Sequence, residues 1–314
     1  MPELPEVETI RRDLEPKIVG RKIEKIEIFS PQTVSLRAAF FKKALLGRKF
    51  SSLKRRGKLL FFKLSPTTGL KSDYLLIHLK MTGQLIYTDS KHKIAGGHSL
   101  RAESDKLNRK KSKEVNTKDQ NFLAAVGGEL PNRHTRAVFY FSGGGRLYFN
   151  DLRKFGYLKI MTAAELEAQL EKNYGPEPLT PAFTLAALSA ALKNRSLNIK
   201  AALLNQKLVA GLGNIYVDEA LFAAGISPLR KAGALKLKEL KRLQIAINRI
   251  IRSALKHRGT TFSDYLDSSG REGNFSARLK VYGRGGESCF SCGQPIVKIK
   301  LAGRGTHYCR FCQK

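Results

Sequence analysis

The first residues of the chain place a potential nucleophile beside two carboxyl groups. The chain begins MPELPE, and a small second residue permits removal of the initiator methionine. The secondary amine of Pro2 would then be the terminus, and an α-amino group, which titrates near pH ~8, is partly unprotonated at neutral pH. Attack by this amine on a carbonyl or a sugar C1′ gives an iminium, which is an electron sink for later eliminations. The same residues also suit a helix start, with Pro5 at the first helical position and Glu3 and Glu6 near the positive end of the dipole.

Four cysteines near the C-terminus have the spacing of a metal site. Sixteen residues separate the pair Cys289 and Cys292 from the pair Cys309 and Cys312, and two such knuckles can direct four thiolates at one zinc ion. A site made of cysteines alone leaves no open position for catalysis, so the ion would be structural. Redox pairs or disulfides are the alternatives, but nothing nearby resembles a thioredoxin-type βαβ unit. The residues between the pairs suit a β-hairpin.

The composition indicates a polyanionic partner. The 314 residues include 57 Lys and Arg against 26 Asp and Glu, which gives a net charge of +31. This charge exceeds what solubility requires, although composition does not distinguish DNA from RNA. No apolar run approaches the roughly 18 residues of a membrane helix, and the acidic N-terminus lacks a signal-peptide pattern. We therefore expect a cytoplasmic protein with no membrane partner.

The residue pattern predicts an α+β fold. Short runs rich in β-branched and aromatic residues, from about 20 to 160, predict a β-sandwich packed on the N-terminal helix. After Met161 the period changes to 3.6, and Thr162–Glu165 has the sequence of a capping box. Strands are predicted at Lys22–Phe29, Leu59–Leu64, Tyr74–Leu79, Ala137–Phe141 and Leu147–Phe149, and helices at Leu185–Leu192, Ile199–Leu208, Ile215–Ala224 and Leu237–Lys256.

One long polar segment interrupts the strand region. Thr88–Asn132 has nine Lys and Arg against six Asp and Glu, and its positive charge is concentrated in Lys106–Lys113. No clear period occurs in it before Phe122–Val126. We predict an insertion between two sandwich strands, which is either a solvated loop or a basic tether that contacts neighbouring phosphates.

The N-terminal motif PELPEVET resembles that of the formamidopyrimidine-DNA glycosylases, bacterial enzymes that excise 8-oxoguanine and ring-opened purines. The related endonuclease VIII group begins PEGPE, so Leu4 favours oxidised purines over oxidised pyrimidines. Further motifs of the family occur in order along nearly the whole chain except Thr88–Asn132. The resemblance implies a catalytic β-sandwich domain at 1–160 with the insertion 88–132, a helix–two-turn–helix DNA-binding domain at 161–275, and a zinc finger at 276–314.

The resemblance implies roles for five catalytic residues. Pro2 would attack C1′, Glu3 would act as general acid and base near the sugar, and Glu6 would order the N-terminus. Lys58, in the sequence RGK, would bind phosphate and donate a proton during elimination. Arg304, at the tip of the zinc hairpin in the sequence GRGT, would contact phosphate and promote δ-elimination.

A second group of residues would hold the DNA. Met81, Arg153 and Phe155 would fill the space left by the extruded nucleotide, with Arg153 facing the orphan base. The other DNA contacts implied by the resemblance are His78, His134, Arg195, Lys200 and Asn214. Two positions depart from the family pattern: Lys80 replaces a glycine in HLKMTG, and Leu152 replaces a frequent proline in DLRKFG. The sequence Ser268–Phe275 corresponds to the loop that covers the everted base.

The sequence thus predicts a bifunctional DNA glycosylase and abasic-site lyase that performs β- and δ-elimination. Its partner would be duplex DNA that contains a damaged base or an abasic site, its one cofactor a structural zinc ion, and its state a monomer at the bacterial nucleoid. Two alternatives remain open. One is an endonuclease VIII-like glycosylase for oxidised pyrimidines. The other is a non-enzymatic zinc-ribbon protein, which retention of Met1 would favour.

Overall fold

Two antiparallel sheets and the N-terminal helix form the first of two units. A computed structural model of the chain describes residues 1–67, 72–100, 118–260 and 275–314. The first unit contains Met1–Ala168 and residues 258–260, and the second contains Gln169–His257 and Phe275–Lys314. The elements before the insertion are α1 (Leu4–Ile18), β1 (Ile23–Ile28), α2 (Ala38–Leu45), β2 (Phe50–Arg56), β3 (Leu59–Leu64), β4 (Tyr74–His78) and β5 (Gly83–Thr88).

The strands of the first unit pair in two sheets. The later elements are β6 (Lys93–Gly97), α3 (Lys118–Val126), β7 (Thr135–Phe141), β8 (Arg146–Asp151), β9 (Tyr157–Met161) and α4 (Ala163–Asn173). One sheet has the order β1-β7-β8-β5-β6 and the other β2-β3-β4-β9. Their buried apolar side chains form one core with the inner face of α1. The predicted strands are therefore confirmed, and the capping box is too, because the Thr162 amide donates to Glu165 Oε2 at 2.8 Å.

Helix α1 is fixed by both of its faces. Val7, Ile10 and Leu14 recur at helical spacing and are buried in the core, as the apolar stripe predicts. Glu8 lies on the flank, where it pairs with Arg11 on the same helix at 3.0 Å and with Arg55 of β2 at 3.1 Å. The carboxylate thus ties the helix that carries the N-terminus to the strand next to it.

The Glu8 pairs make the stability of the first unit depend on pH. Burial opposes ionisation of Glu8, but hydrogen bonds from Arg11 and Arg12 and the charge of Arg55 outweigh it and lower its pKa from 4.5 to about 2. Because the folded pKa is the lower one, this stabilisation is complete above about pH 4.5 and is lost as the pH falls towards 2.

We expect the free energy of unfolding of the native protein to fall by roughly 1–2 kcal/mol more over this acid range than that of Glu8→Gln. Urea titrations at several pH values measure the difference. Glu24→Gln, at an exposed position of β1, is the control and should behave like the native protein. Parallel acid profiles for the native protein and Glu8→Gln would contradict the prediction.

The segment Thr88–Asn132 is not simply a solvated loop. Strand β6 pairs with β5 at the sheet edge, and helix α3 packs on the same sheet through Phe122 and Val126. The helix is also tied down by Gln84, whose amide donates to the Ala125 carbonyl at 3.1 Å. The predicted insertion is therefore folded at both ends, while the basic run Lys106–Lys113 lies outside the described residues.

The second unit contains the later helices and a two-stranded hairpin. They are α5 (Leu185–Leu192), α6 (Ile199–Leu204), α7 (Asn214–Ala224), α8 (Leu237–Lys256), β10 (Val297–Leu301) and β11 (Arg304–Tyr308). The predicted α+β fold, with its helical region and C-terminal hairpin, is confirmed. Among the described residues no helix is long and apolar enough to cross a membrane.

One predicted helix, Ile199–Leu208, was too long. Helix α6 ends at Leu204. Beyond it, the side chain of Gln206 forms hydrogen bonds with backbone groups that a further helical turn would otherwise have paired. Its amide donates to the carbonyls of Leu204 and Leu212, and its oxygen accepts from the Gly211 amide. This side chain therefore closes the turn that leads into α7.

Candidate active site and nucleic-acid interface

The N-terminus is held in place by Glu6. Pro2 is buried, and Glu3 and Glu6 are 3% and 1% exposed. Glu6 Oε2 accepts the Glu3 amide at 2.9 Å, while its Oε1 accepts the Thr260 amide at 2.9 Å. Glu6 thus uses both oxygens to hold backbone, which fits an orienting role better than proton transfer. The nitrogen of Pro2 and the carboxyl group of Glu3 are consequently attached to a rigid helix start.

Position 259, which lies against Glu6, requires a glycine. Gly259 has a φ of +85°, and a Cβ at this position would lie 2.5 Å from Glu6 Oε1. Both the left-handed backbone and the close approach therefore exclude a larger residue. The stretch 259–260 leads into the segment predicted to cover the everted base, but residues 268–274 of that segment lie outside the described part of the chain.

Lys58 lies at the turn between β2 and β3. It is 6% exposed and follows Gly57, whose φ is +57°. The turn is anchored by Arg55, whose guanidinium donates to the Gly57 carbonyl at 2.9 Å and pairs with Glu8 of α1. Arg55 and Glu8 were not among the predicted site residues, although their opposite charges and the nearby RGK motif were a usable signal.

His78 is a neutral hydrogen-bonding residue at the end of β4. Burial, and then the charges of Lys80 and Lys58, lower the pKa of His78 from 6.5 to about 3. Its Nδ1 accepts the Lys80 amide at 3.0 Å, so the ring proton is on Nε2. His78 can therefore donate one hydrogen bond from Nε2 but cannot supply a positive charge at neutral pH.

The other predicted histidine is inside the unit. His134 is 5% exposed, and its Nε2 accepts a hydrogen bond from Arg133 Nε at 3.1 Å. Its backbone amide donates to Asn132 Oδ1 at 3.0 Å. The Arg133 side chain, which donates to His134, is itself exposed.

The three predicted void-filling side chains come together. Arg153 Nη1 lies 3.3 Å from Met81 Sδ, and the Arg153 guanidinium carbon lies 4.7 Å from the centre of the Phe155 ring. Phe155 is 53% exposed, so much of its ring faces solvent. The cluster thus presents an apolar wedge and a guanidinium side by side, as insertion into a base stack requires.

Asp151 organises the loop that carries this cluster. It is 1% exposed, accepts the Gly156 amide at 2.7 Å and the Arg153 amide at 3.2 Å, and also accepts the hydroxyl of Thr82. Its backbone carbonyl accepts two hydrogen bonds from Arg136. One buried carboxylate therefore sets the relative position of the Met81 and Arg153 loops. The sequence motif contained Asp151 but gave no sign that Thr82 is its partner.

Lys80, one of the two residues that depart from the family pattern, adopts the backbone conformation of a glycine. Its φ is +51°, a left-handed conformation that costs a non-glycine residue roughly 1 kcal/mol.

We expect Lys80→Gly to raise the free energy of unfolding by about 0.5 kcal/mol. The substitution removes the backbone strain, but the greater entropy of glycine in the unfolded chain offsets part of that gain. Lys80→Ala is the matched control, because it also removes the ammonium that lies 5.6 Å from the Tyr157 ring but keeps the strained Cβ. Urea denaturation in which the glycine variant is less stable than the alanine variant would contradict this prediction.

The predicted phosphate contacts of the second unit divide into exposed and buried groups. Arg195 is exposed after α5, and Arg304 is exposed at the first position of β11. Asn214 begins α7, and its side-chain amide donates to the Gly305 carbonyl at 2.9 Å. Lys200 is instead fully buried and pairs with Asp218. The structure thus places the Lys200 ammonium inside the unit and not on its surface.

The four cysteines form the zinc site. Their sulfur atoms all lie within 4.8 Å of one another. The separations of Cys289 from Cys312 and of Cys292 from Cys309 are 4.0 and 3.4 Å, near the spacing that tetrahedral Zn–S bonds of about 2.3 Å impose. The donor set contains thiolates alone, so the ion has a structural role.

Comparison with known proteins gives consistent matches along the chain. Family models described as the formamidopyrimidine-DNA glycosylase N-terminal domain, its H2TH domain, and a zinc finger found in FPG and IleRS match residues 1–158, 174–265 and 286–314. The formamidopyrimidine-DNA glycosylase of Symbiobacterium thermophilum is 42% identical over 316 residues, covering 100% of this chain and 89% of the relative. That of Desulfitobacterium hafniense is 41% identical and covers 100% of both chains.

Solved structures match equally fully. The Lactococcus lactis formamidopyrimidine-DNA glycosylase bound non-covalently to DNA with an abasic site has a TM-score of 0.78 and 34% identity, covering 99% of both chains. Its complex with DNA that contains an oxidised pyrimidine has a TM-score of 0.78 and 35% identity, covering 100% of both chains. The similarity therefore extends to a protein whose solved complexes contain damaged DNA.

Proposed function

The chain belongs to the formamidopyrimidine-DNA glycosylase family and is thus a DNA-repair enzyme, and from that premise we propose that it excises oxidised purines and then cleaves the strand as an abasic-site lyase. The observation that carries this proposal is the arrangement at the N-terminus. Pro2 and Glu3 are buried at the start of α1, and Glu6 fixes the backbone beside them. A secondary amine held next to a carboxyl group is suited to attack on a sugar C1′.

The proposed reaction begins with extrusion of the damaged nucleotide. Arg153 and Phe155 occupy the space in the stack, with Met81 against Arg153. After removal of Met1, the Pro2 nitrogen bonds to C1′ as the bond from C1′ to the base breaks. Glu3 takes the proton of the attacking amine and gives it to O4′ as the bond from C1′ to O4′ breaks, while the departing base takes a proton from solvent. The product is an iminium between Pro2 and the opened sugar.

Elimination then cleaves the strand. The iminium accepts the electron pair released when a proton leaves C2′, and the 3′ phosphate departs. A second elimination releases the 5′ phosphate, which leaves a one-nucleoside gap. His78 can donate through Nε2, and Lys58 and Arg304 are positive charges suited to leaving phosphates. Hydrolysis of the iminium restores the Pro2 amine.

The proposed partner is duplex DNA with a damaged base or an abasic site, bound by one copy of the chain. The net charge of +31 supports a location on the nucleoid of a bacterial cell. The domain boundaries at 160 and 275 remain predictions.

The proposal is tested by single-turnover excision from two duplexes. We expect excision of 8-oxoguanine opposite cytosine to be at least about tenfold faster than excision of thymine glycol, a difference of ~1.4 kcal/mol in the barrier. The oxidised-pyrimidine complex of the Lactococcus lactis enzyme makes thymine glycol the relevant competitor. The reverse order would favour the endonuclease VIII-like function instead.

Glu3→Gln tests the role of the carboxyl group. This variant should bind the 8-oxoguanine duplex normally but excise it ~10²–10⁴ times more slowly, since general acid–base catalysis is lost. Glu24→Gln, at an exposed carboxyl on β1, is the matched control and should keep full activity. Undiminished excision by Glu3→Gln would remove Glu3 from the mechanism.

A further inference from the structure

A fully buried ion pair lies beneath the zinc hairpin. Lys200 of α6 and Asp218 of α7 are both 0% exposed at their side chains, and Lys200 Nζ lies 2.7 Å from Asp218 Oδ1. Two charges removed from water are costly unless each makes further hydrogen bonds. The remaining partners of the two side chains therefore indicate what the pair holds.

Both charges hold the backbone of β11. Lys200 Nζ donates to the Gly305 carbonyl at 3.0 Å, and Asp218 Oδ2 accepts the His307 amide at 2.9 Å. The Gly305 carbonyl also accepts the side-chain amide of Asn214 at 2.9 Å. The bonds made by Lys200 and Asp218 are charge-assisted, and such bonds are short and directional. The strand is thus fixed at Gly305, which immediately follows Arg304, and at His307.

The hairpin needs such support at its tip. The turn consists of Ala302 and Gly303, both with positive φ, and a two-stranded hairpin is at best marginally stable alone. Cys309, a zinc ligand, follows the other end of β11, so the metal holds the base of the hairpin. The neighbouring Glu219 accepts the amides of residues 280–282, which lead into this region. The tip is held by the buried pair.

We propose that the Lys200–Asp218 pair positions Arg304 for its contact with DNA phosphate, and that Lys200 acts through the hairpin and not on the DNA. This inference rests on the proposed function only in assigning the phosphate contact to Arg304. It explains why a lysine predicted to face phosphate is buried: its ammonium holds the peptide next to the residue that faces phosphate.

A double-mutant cycle tests the inference. The pair is neutralised together as Lys200→Met with Asp218→Asn, since removal of one partner would leave a buried charge. The side-chain oxygen that remains after Asp218→Asn can still accept the His307 amide, while the donor to Gly305 is lost. Binding is measured by titration of zinc-loaded protein into a duplex with a tetrahydrofuran abasic-site analogue, over a range of salt concentrations. The neutralised pair should bind about tenfold more weakly.

The cycle separates positioning from direct contact. Arg304→Ala should lower the slope of log affinity against log salt by roughly 0.9, the value for one phosphate. Added to Arg304→Ala, the neutralised pair should change affinity and slope little, because both act on one contact. A further fall in slope of roughly 0.9 in that background would mean that Lys200 contacts phosphate itself, and would overturn the inference.

Controls keep the result interpretable. Arg230→Met with Glu239→Gln neutralises another ion pair of the same unit and should leave the affinity unchanged. Zinc content and thermal melting show that each variant is folded. Should the double replacement unfold, Lys200→Gln with Asp218→Asn, which also neutralises both partners, supplies the same cycle, with a smaller, still non-additive loss expected. Additive losses, or native affinity of the pair variant, would overturn the inference. If Arg304→Ala itself binds normally, the inference fails together with the role of Arg304, whereas the excision assays still report separately on the proposed function.

Discussion

Borohydride reduction during turnover should trap a covalent adduct between the native protein and damaged DNA, and Pro2→Leu should abolish it. A large residue at position 2 prevents removal of Met1, so the only α-amine is moved by one residue, a displacement of up to ~3.8 Å. Single-turnover excision should fall at least about 10³-fold, or ~4 kcal/mol in the barrier, because the covalent step is lost. Pro2→Gly, which still permits removal of Met1, restores a primary amine at the correct position and should retain a trapped adduct at a reduced rate.

Intact mass establishes the N-terminus of each protein before the assay. Undamaged duplex of the same sequence is the control and should give no adduct. Glu24→Gln should be trapped as efficiently as the native protein. An undiminished adduct in Pro2→Leu with Met1 retained would show that another amine is the nucleophile.

Removal of zinc should unfold the hairpin and abolish binding to damaged duplex. The apolar cluster around the site consists of Val281, Ile296, Cys289 and Cys309, with Phe222 and Cys312 packed against it. This cluster is too small to replace the roughly 10–16 kcal/mol that zinc contributes to folding of such modules. Hydrogen exchange should show loss of protection in β10 and β11. The strands of the first unit should keep their protection, because their core contains no metal ligand.

Arg304→Ala in the zinc-loaded protein is the matched comparison for this experiment. It should weaken binding while zinc content and exchange protection stay native, since Arg304 is exposed. Restoring zinc to the chelated protein should restore binding. If the chelated protein bound and cut damaged duplex like the native one, the hairpin would be dispensable for both.

The sequence predicted most regular elements because their apolar residues recur at clear intervals. The stripe of α1 and the bounds of α5 and α8 follow directly from it. Strands β2, β5, β6 and β9 were not among the predicted strands. For β6 the reason is that Lys93–Gly97 has little alternation and ends in two glycines. A Cβ at Gly96 would lie 2.4 Å from the Ile10 side chain. Glycine is therefore required there by packing against α1, which the local sequence of the strand does not reveal.

Partners within the site were less predictable than its members. The motifs gave Met81, Arg153 and Phe155, and these side chains do meet. That Asp151 holds their loops through Thr82 depends on a hydrogen bond between residues 69 apart in sequence. A lysine on a short helix predicts a solvated charge, and only the packing around Lys200 shows that it is internal.

The bridge formed by Glu6 has a genetic consequence. Its two oxygens join the N-terminal segment to Thr260, a residue 254 positions away in sequence, and Gly259 lies against the same carboxylate. A side chain at 259 would displace this carboxylate and free the Glu3 amide that it holds. Substitutions at Glu6 and at Gly259 should therefore impair repair in the same way. Their effects should resemble each other more than they resemble the effects of substitutions at adjacent positions in the sequence.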